Sequence, residues 1–171
     1  MQWVEVFEHF GSNLSNDTVV HVWKDKSTLA KVVEAGYRAL LSDNDAWYLD
    51  WLSVTWDKMY NNEPTQVLSA TADPTLILGG EACMWGETVD GSDLDNTVWP
   101  RAAAVGERLW TPLATIGTSP DMNAVQDRLE NFRCLLLERG VGAAPVTNIE
   151  ARKAPANPGS CFDQRRVLAS T

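Results

Sequence analysis

The sequence predicts an α/β fold built on parallel strands. Three observations carry this. Short β-branched or apolar runs alternate with a helical stripe, each run ends in polar and aromatic residues, and one run leads into a glycine pair followed by two carboxylates and an indole. Alternation of this kind is the βα repeat, for which a parallel sheet is expected.

Residues 2–7, Gln-Trp-Val-Glu-Val-Phe, alternate and read as the end of a strand that begins abruptly. Nothing before them caps or pairs with it, so Met1 is read as not the natural start of the domain. Residues 11–16 read as a loop, in which Asn13-Leu14-Ser15 and Asn16-Asp17-Thr18 both satisfy the glycosylation triplet. Thr18 to Trp23 is a β-branched strand, with His21 read as a packed strand residue. Ser27 is placed to cap a helix over 28–35, where Leu29, Val32 and Val33 form an apolar stripe. Gly36 closes that helix as the residue after its cap. Tyr37 to Ser42 is the next strand. It runs into Asp43-Asn44-Asp45-Ala46-Trp47-Tyr48-Leu49-Asp50-Trp51, where Asp43 and Asp45 read as loop caps and Trp47 as packing.

Residues 52–74 read as irregular, with a short helix near Trp56 to Tyr60 and breaks at Pro64 and Pro74. Leu76-Ile77-Leu78-Gly79-Gly80 then reads as a buried parallel strand ended by two glycines, which let the backbone turn sharply or approach a ligand. Glu81, Trp85 and Glu87 follow directly. An indole offers a flat apolar face to a pyranose ring, and a carboxylate accepts hydrogen bonds from hydroxyls. Such residues after a buried strand suit a sugar site in a β/α barrel. They suit equally a strand-to-helix turn with a core tryptophan. Asp90 to Asn96 is a polar loop. Asn96 or Thr97 is placed to cap a helix running through Trp110, with Pro100 in its first turn. A helix over 121–139 carries Val125, Leu129, Phe132, Leu136 and Leu137 at helical spacing and ends at Gly140. Residues 141–171, rich in Ala, Pro, Gly and Asn, read as an extended tail. There is no internal repeat.

Composition narrows the function classes. The net charge is −9 and the isoelectric point about 4.6, with no run of basic residues, which argues against nucleic-acid binding. An acidic chain is compatible with an acidic compartment. No stretch is long and apolar enough to span a membrane, and the N-terminus lacks the basic and apolar regions of a signal peptide. Eight tryptophans, several beside polar residues, tilt toward an aromatic-lined carbohydrate site. Of the three cysteines, Cys83 reads as a buried free thiol. Cys134 lies in a helical pattern and Cys161 in the tail. A tail with little core gains from a staple, so a Cys134–Cys161 disulfide is expected, and with it an oxidising compartment. No cysteine and histidine spacing suggests a metal, and no cofactor is expected.

The run Gly79-Gly80-Glu81-Ala82-Cys83-Met84-Trp85-Gly86-Glu87, followed by Trp99-Pro100-Arg101-Ala102-Ala103-Ala104-Val105-Gly106-Glu107-Arg108-Leu109-Trp110, closely resembles the end of the catalytic barrel of family 20 glycoside hydrolases. These are the β-N-acetylhexosaminidases, and the lysosomal hexosaminidase branch is the nearest likeness. The resemblance runs from about Trp3 to Cys161. It implies the C-terminal portion of a (β/α)8 TIM barrel with terminal helices, over residues 1–142, and an extended C-terminal tail over 143–171. A complete barrel of this kind needs about 250 residues.

The resemblance implies hydrolysis of terminal non-reducing N-acetylhexosamine from β-linked GlcNAc- or GalNAc-terminated glycans, by substrate-assisted retention. The substrate's 2-acetamido oxygen attacks the anomeric carbon, so no carboxylate nucleophile is needed. The family's acid/base pair is an Asp-Glu dipeptide on an earlier strand. This sequence contains no Asp-Glu dipeptide, so no catalytic residue is assigned here. What remains is the substrate cage. Trp3, Trp23 and Trp85 match the tryptophans walling the acetamido pocket. Tyr48 matches the tyrosine that bonds the acetamido oxygen, Glu87 a carboxylate on a remote ring hydroxyl, and Asp50 a contact to the outer hydroxyl. A tryptophan at Trp51 departs from the family's pattern. Glu81 reads as tying down the turn. Trp99, Arg101, Glu107, Arg108 and Trp110 read as packing the last barrel helix and pairing charges.

A lysosomal or secreted location and a homo- or hetero-dimer in a full-length enzyme follow as expectations. The competing readings are a sugar-binding remnant without the acid/base half, and a truncated gene model.

Overall fold

The computed structural model describes residues 1–117, 119–147 and 151. A four-stranded sheet forms the centre, in the order β1 (Gln2–Trp3), β2 (Val19–Val22), β3 (Arg38–Leu41) and β4 (Ile77–Gly80). Every neighbouring pair is parallel. Sequential order with parallel pairing is what successive crossover units produce. Helices α1 (Val4–Phe10), α2 (Lys26–Glu34) and α3 (Trp56–Asn61) lie in the connections. After β4 come α4 (Leu94–Val98), α5 (Arg101–Trp110), α6 (Leu113–Ile116) and α7 (Met122–Glu138). No helix among the described residues is long and apolar enough to cross a membrane.

The core has two parts. The first joins the sheet to α2, with Val20, Val22, Leu29, Val32, Ala39, Leu41 and Trp47 all buried. The second lies between helices, where Val125 and Leu129 of α7 meet Trp56, Tyr60, Ala104 and Val146. Each large apolar side chain removed from water in this way stabilises the fold by about 1.5–3 kcal/mol.

Several elements depart from the sequence reading. The strand expected over 2–7 stops at Trp3, and Val4 opens a helix. Val4, Phe7 and Phe10 also have helical spacing, and Val4 and Phe7 turn toward the sheet core. The cap of α2 is Asp25 rather than Ser27. The Asp25 carboxylate accepts the Thr28 N–H at 3.0 Å, and Ser27 donates its hydroxyl to that carboxylate at 2.5 Å. A carboxylate at a helix N-terminus also meets the positive end of the dipole. The single helix expected through Trp110 is two, α4 and α5, divided by a cis Trp99–Pro100 bond. Proline has no N–H to give a helix, and it holds Trp99 extended. Leu94 to Asn96, expected in a loop, are helical.

β4 is half-buried, not fully buried, and Leu78, skipped where the β3–β4 register shifts, is exposed. The tail begins as packed chain rather than as an extended arm. Ala143, Ala144 and Val146 are buried, the Ala144 N–H bonds the Trp99 carbonyl, and the Trp56 indole N–H bonds the Val146 carbonyl.

One glycine is required sterically. A Cβ on Gly80 would collide with the Leu41 carbonyl oxygen and lie 2.5 Å from Trp47 Cζ3. The loop after β3 therefore folds down onto β4 without a side chain between them.

Candidate functional site

Parallel pairing puts the C-terminal ends of all four strands on one side. The register matches Trp3 with His21, Val22 with Leu41, and Leu41 with Gly80. Whatever follows each strand therefore converges there. An open pocket of about 560 Å³ lies at that end. Trp3, Trp23, Tyr48, Asp50, Trp85 and Glu87, the residues singled out from the sequence, all line it, together with Asn44 and Trp51.

Trp3 closes β1 and is more than half exposed, its ring stacked on His21 at 4.6 Å. Trp23 follows β2 and donates its indole N–H to Glu5 Oε1 at 2.8 Å. Lys24 joins that group, 2.6 Å from Glu8 Oε2 and 3.5 Å from Glu5 Oε1. Burial works against the Glu5 charge, but its backbone N–H, the Trp23 indole and Lys24 outweigh it and hold the carboxyl below its ordinary range.

The loop over 43–54 supplies Asn44, Tyr48, Asp50 and Trp51, and is fixed from several directions. Asp43 accepts the Asp45 N–H at 3.0 Å and the Asn62 side-chain amide at 3.0 Å, and burial pushes its carboxyl upward. Trp47 is fully buried and donates its indole N–H to the Met59 carbonyl at 3.0 Å. The segment also continues the sheet pairing. The Leu49 N–H bonds the Cys83 carbonyl at 2.7 Å, and the Cys83 N–H bonds the Trp47 carbonyl at 3.0 Å. From below, the buried Arg101 guanidinium donates to the carbonyls of Leu49, Trp51, Val54 and Thr97. A planar guanidinium with fixed donor directions suits such a cluster of carbonyls.

Tyr48 is 9% exposed, and its ring centroid is 6.4 Å from that of Trp85. Burial is the main cause pushing its phenol above the ordinary range, and Cys83 and Asp50 add to it. The group is therefore a neutral hydroxyl, able to donate. Asp50 Oδ1 is shielded from solvent and meets no donor among the described residues. A buried carboxylate oxygen without a donor is costly, and a ligand hydroxyl would relieve it. Trp85 and Glu87 are exposed on the far side.

Together these residues offer indole faces, a phenolic donor and carboxylate acceptors. That set fits a small molecule with apolar ring faces and many hydroxyls. Among the described residues no group of three or more His, Cys, Asp and Glu could hold a metal ion. Cys83 is a half-buried free thiol, pushed upward by burial. Asn13 and Asn16 are exposed. Cys134 lies on α7, and Cys161 lies outside the described residues, as does most of the 143–171 tail. Arg108 pairs with Glu63 at 3.3 Å and Glu107 with Arg128 at 2.5 Å, as charge pairing on the last barrel helix implies. Trp110 is 90% exposed rather than packed.

Sequence reasoning did not assign Asn44 or the part played by Arg101. Asn44 adjoins the aromatic run in the loop, which was the available signal. Arg101 lay inside the Trp99-Pro100-Arg101 block, but its partners are backbone carbonyls about fifty residues earlier.

The family described as glycosyl hydrolase family 20, catalytic domain, matches residues 1–113. Beta-hexosaminidase 3 of Arabidopsis thaliana is 46% identical over 164 residues, covering 96% of this chain and 30% of that protein. Beta-hexosaminidase subunit beta of Homo sapiens is 41% identical over 149 residues, covering 84% of this chain and 26% of that protein. The solved exo-β-N-acetylglucosaminidase of Vibrio harveyi in complex with N-acetylglucosamine superimposes with a TM-score of 0.68 at 27% identity, covering 84% of this chain and 24% of that one. The chitobiase of Flavobacterium johnsoniae does so with a TM-score of 0.67 at 31% identity, covering 81% and 21%. The chain thus spans about 30% or less of the length of these relatives.

Proposed function

The chain belongs to glycosyl hydrolase family 20, as the C-terminal portion of its (β/α)8 barrel, and we propose that it supplies the substrate cage of a β-N-acetylhexosaminidase. The single observation that carries this is the convergence of Trp3, Trp23, Tyr48, Asp50, Trp85 and Glu87 on one pocket at the C-terminal ends of parallel strands. Barrel enzymes place their chemistry at that face. The reaction is removal of terminal non-reducing β-linked GlcNAc or GalNAc.

In this reading the indoles of Trp3, Trp23 and Trp85 enclose the acetamido group and exclude water. The Tyr48 hydroxyl donates to the acetamido oxygen and holds it in line with the anomeric carbon. That oxygen then attacks the anomeric carbon as the glycosidic C–O bond breaks, the leaving oxygen takes a proton from an acid on the barrel half outside this chain, and water afterwards opens the cyclic intermediate. Asp50 and Glu87 accept from hydroxyls remote from the cleaved bond. The unpartnered Asp50 oxygen supports the first of these contacts. A carboxylate there disfavours a 6-sulfated or sialylated terminus, so neutral sugars are preferred.

Four further features belong to the same reading. Cys134 and Cys161 form a disulfide that tethers a tail over 143–171 to a barrel portion over 1–142. The enzyme works in an oxidising and acidic compartment, lysosomal or secreted. Asn13 and Asn16 are candidate glycan acceptors. The full-length enzyme is a homo- or hetero-dimer.

The test is hydrolysis of a chromogenic β-GlcNAc substrate at mildly acidic pH, by this chain and by a longer chain restoring the upstream half. Activity only in the longer chain, lowered by Glu87→Gln and weak on a 6-sulfated substrate, supports the reading. Activity in the short chain alone overturns the assignment of the acid to the other half, and points first to Glu81 or Glu87. Sugar binding without hydrolysis in both chains favours a binding remnant, the alternative raised by the missing Asp-Glu dipeptide.

A further inference from the structure

A polar cluster behind the Trp3 wall, centred on the buried His21, has no part in the sugar contacts proposed for the pocket. Trp3 ends a strand of two residues at the edge of the sheet and is 55% exposed. An indole in such a place has little packing to fix its plane. Its parallel-register partner on β2 is His21. The two rings stack with centroids 4.6 Å apart and planes 21° from parallel.

His21 is 3% exposed, so its own ring is fixed by what surrounds it. Its Nε2 lies 2.8 Å from Ser42 Oγ, just past β3, and 3.2 Å from Glu81 Oε1, just past β4. The neighbouring Cys83 thiol donates to the same Glu81 oxygen at 3.9 Å. The hydroxyl and the carboxylate thus both meet the Nε2 edge of the ring. One imidazole therefore links the ends of all four strands: β1 through the stack, β2 through its own backbone, β3 through Ser42 and β4 through Glu81. The plane on which Trp3 lies is set by groups that do not line the pocket.

We propose that His21 is a positioning residue that fixes the Trp3 wall through Ser42 and Glu81, and so sets how large an N-acyl group the pocket admits. The inference rests on the sugar-pocket reading. Trp3 touches the acyl group, and His21 acts only through Trp3. Loss of the stack lets the indole tilt outward, which widens the pocket without removing a group that meets substrate.

The experiment uses the longer chain that includes the upstream half, and compares kcat/KM for chromogenic 2-acetamido and 2-propionamido β-glucosides. In His21→Leu the preference for acetamido over propionamido should fall by about three- to tenfold, the scale of one lost aromatic stack. His21→Gln, whose planar amide can still bond Ser42 and Glu81 but offers no aromatic ring to Trp3, should fall between His21→Leu and the wild type. Glu81→Ala alters a side chain that is 54% exposed and leaves no core cavity, so it gives a second measurement independent of folding. It should lower the preference in the same direction. An unchanged preference in both His21→Leu and Glu81→Ala, with both substrates slowed equally, overturns the inference and leaves His21 as packing. A wild-type enzyme that hydrolyses neither substrate overturns the pocket reading itself, and this inference with it.

Discussion

Trp3 and Trp23 stand on the β1–β2 side of the pocket, Tyr48 and Asp50 on the loop after β3, and the two sides are held by different means. The strand side relies on one ring stack and one indole hydrogen bond at the surface. The loop side is fixed by backbone pairing to the β4 turn, by the buried Trp47 and by the Arg101 donors. Under the proposed function, the difference matches what each side would do. An indole wall excludes water over a broad face and tolerates small shifts. A hydroxyl that bonds a nucleophilic oxygen does not, because hydrogen-bond strength falls steeply with angle and distance.

The largest effect expected from breaking this contrast comes from Arg101→Met. It leaves the carbonyls of Leu49 and Val54 buried without their donor and takes one of two donors from the Trp51 carbonyl, which keeps the Val54 N–H. The cost should be about 3 kcal/mol or more, read as a lowered midpoint in urea, with loss of activity even where the protein remains folded. An unchanged midpoint would mean that the loop holds itself.

Next comes Tyr48→Phe, which keeps the ring and removes the donor. In the enzyme with its upstream half it should lower kcat by about a hundredfold with little change in stability. The pH dependence has a definite sign. Burial disfavours the phenolate and raises the folded-state pKa, so Tyr48 stays protonated through and above the ordinary phenol range. The variant should therefore be slower by the same factor at every pH from acid to neutral. A factor that changes across that range would assign titration to another group.

The smallest effect should come from Glu5→Gln on the strand side. The pair is surface-exposed, and an amide oxygen still accepts from the Trp23 indole, so stability should change by less than about 1 kcal/mol. A KM shift comparable to the loss in Tyr48→Phe would show that the strand side is held as tightly as the loop.

The contrast also governs what the sequence made legible. β2, β3 and α7 were readable because a β-branched run and a helical stripe are local patterns, and the structure keeps them. The pocket tryptophans stood out because indoles beside polar residues are unusual for a core. α1 was misread because Gln2 to Phe7 carries both an alternating and a helical spacing, and only pairing with β2 decides where the strand stops. The Asp25 cap was missed because Ser27 is equally eligible by type, and only geometry ranks them. The Arg101 anchor left no trace, since backbone carbonyls have no identity in a sequence.

The bare Cα of Gly80 bears on how such a site can change over generations. Trp47 occupies the volume that a side chain at position 80 would need, and so does the Leu41 carbonyl. Shrinking residue 47 would clear the ring, but the carbonyl belongs to the main chain and no substitution removes it. Growth at position 80 is thus closed to single and paired substitutions alike, unless the strand itself moves. Trp51, exposed at the rim, meets no such main-chain limit and can be exchanged on its own. Innovation in this pocket is therefore expected at its rim, while the floor under the loop stays as it is.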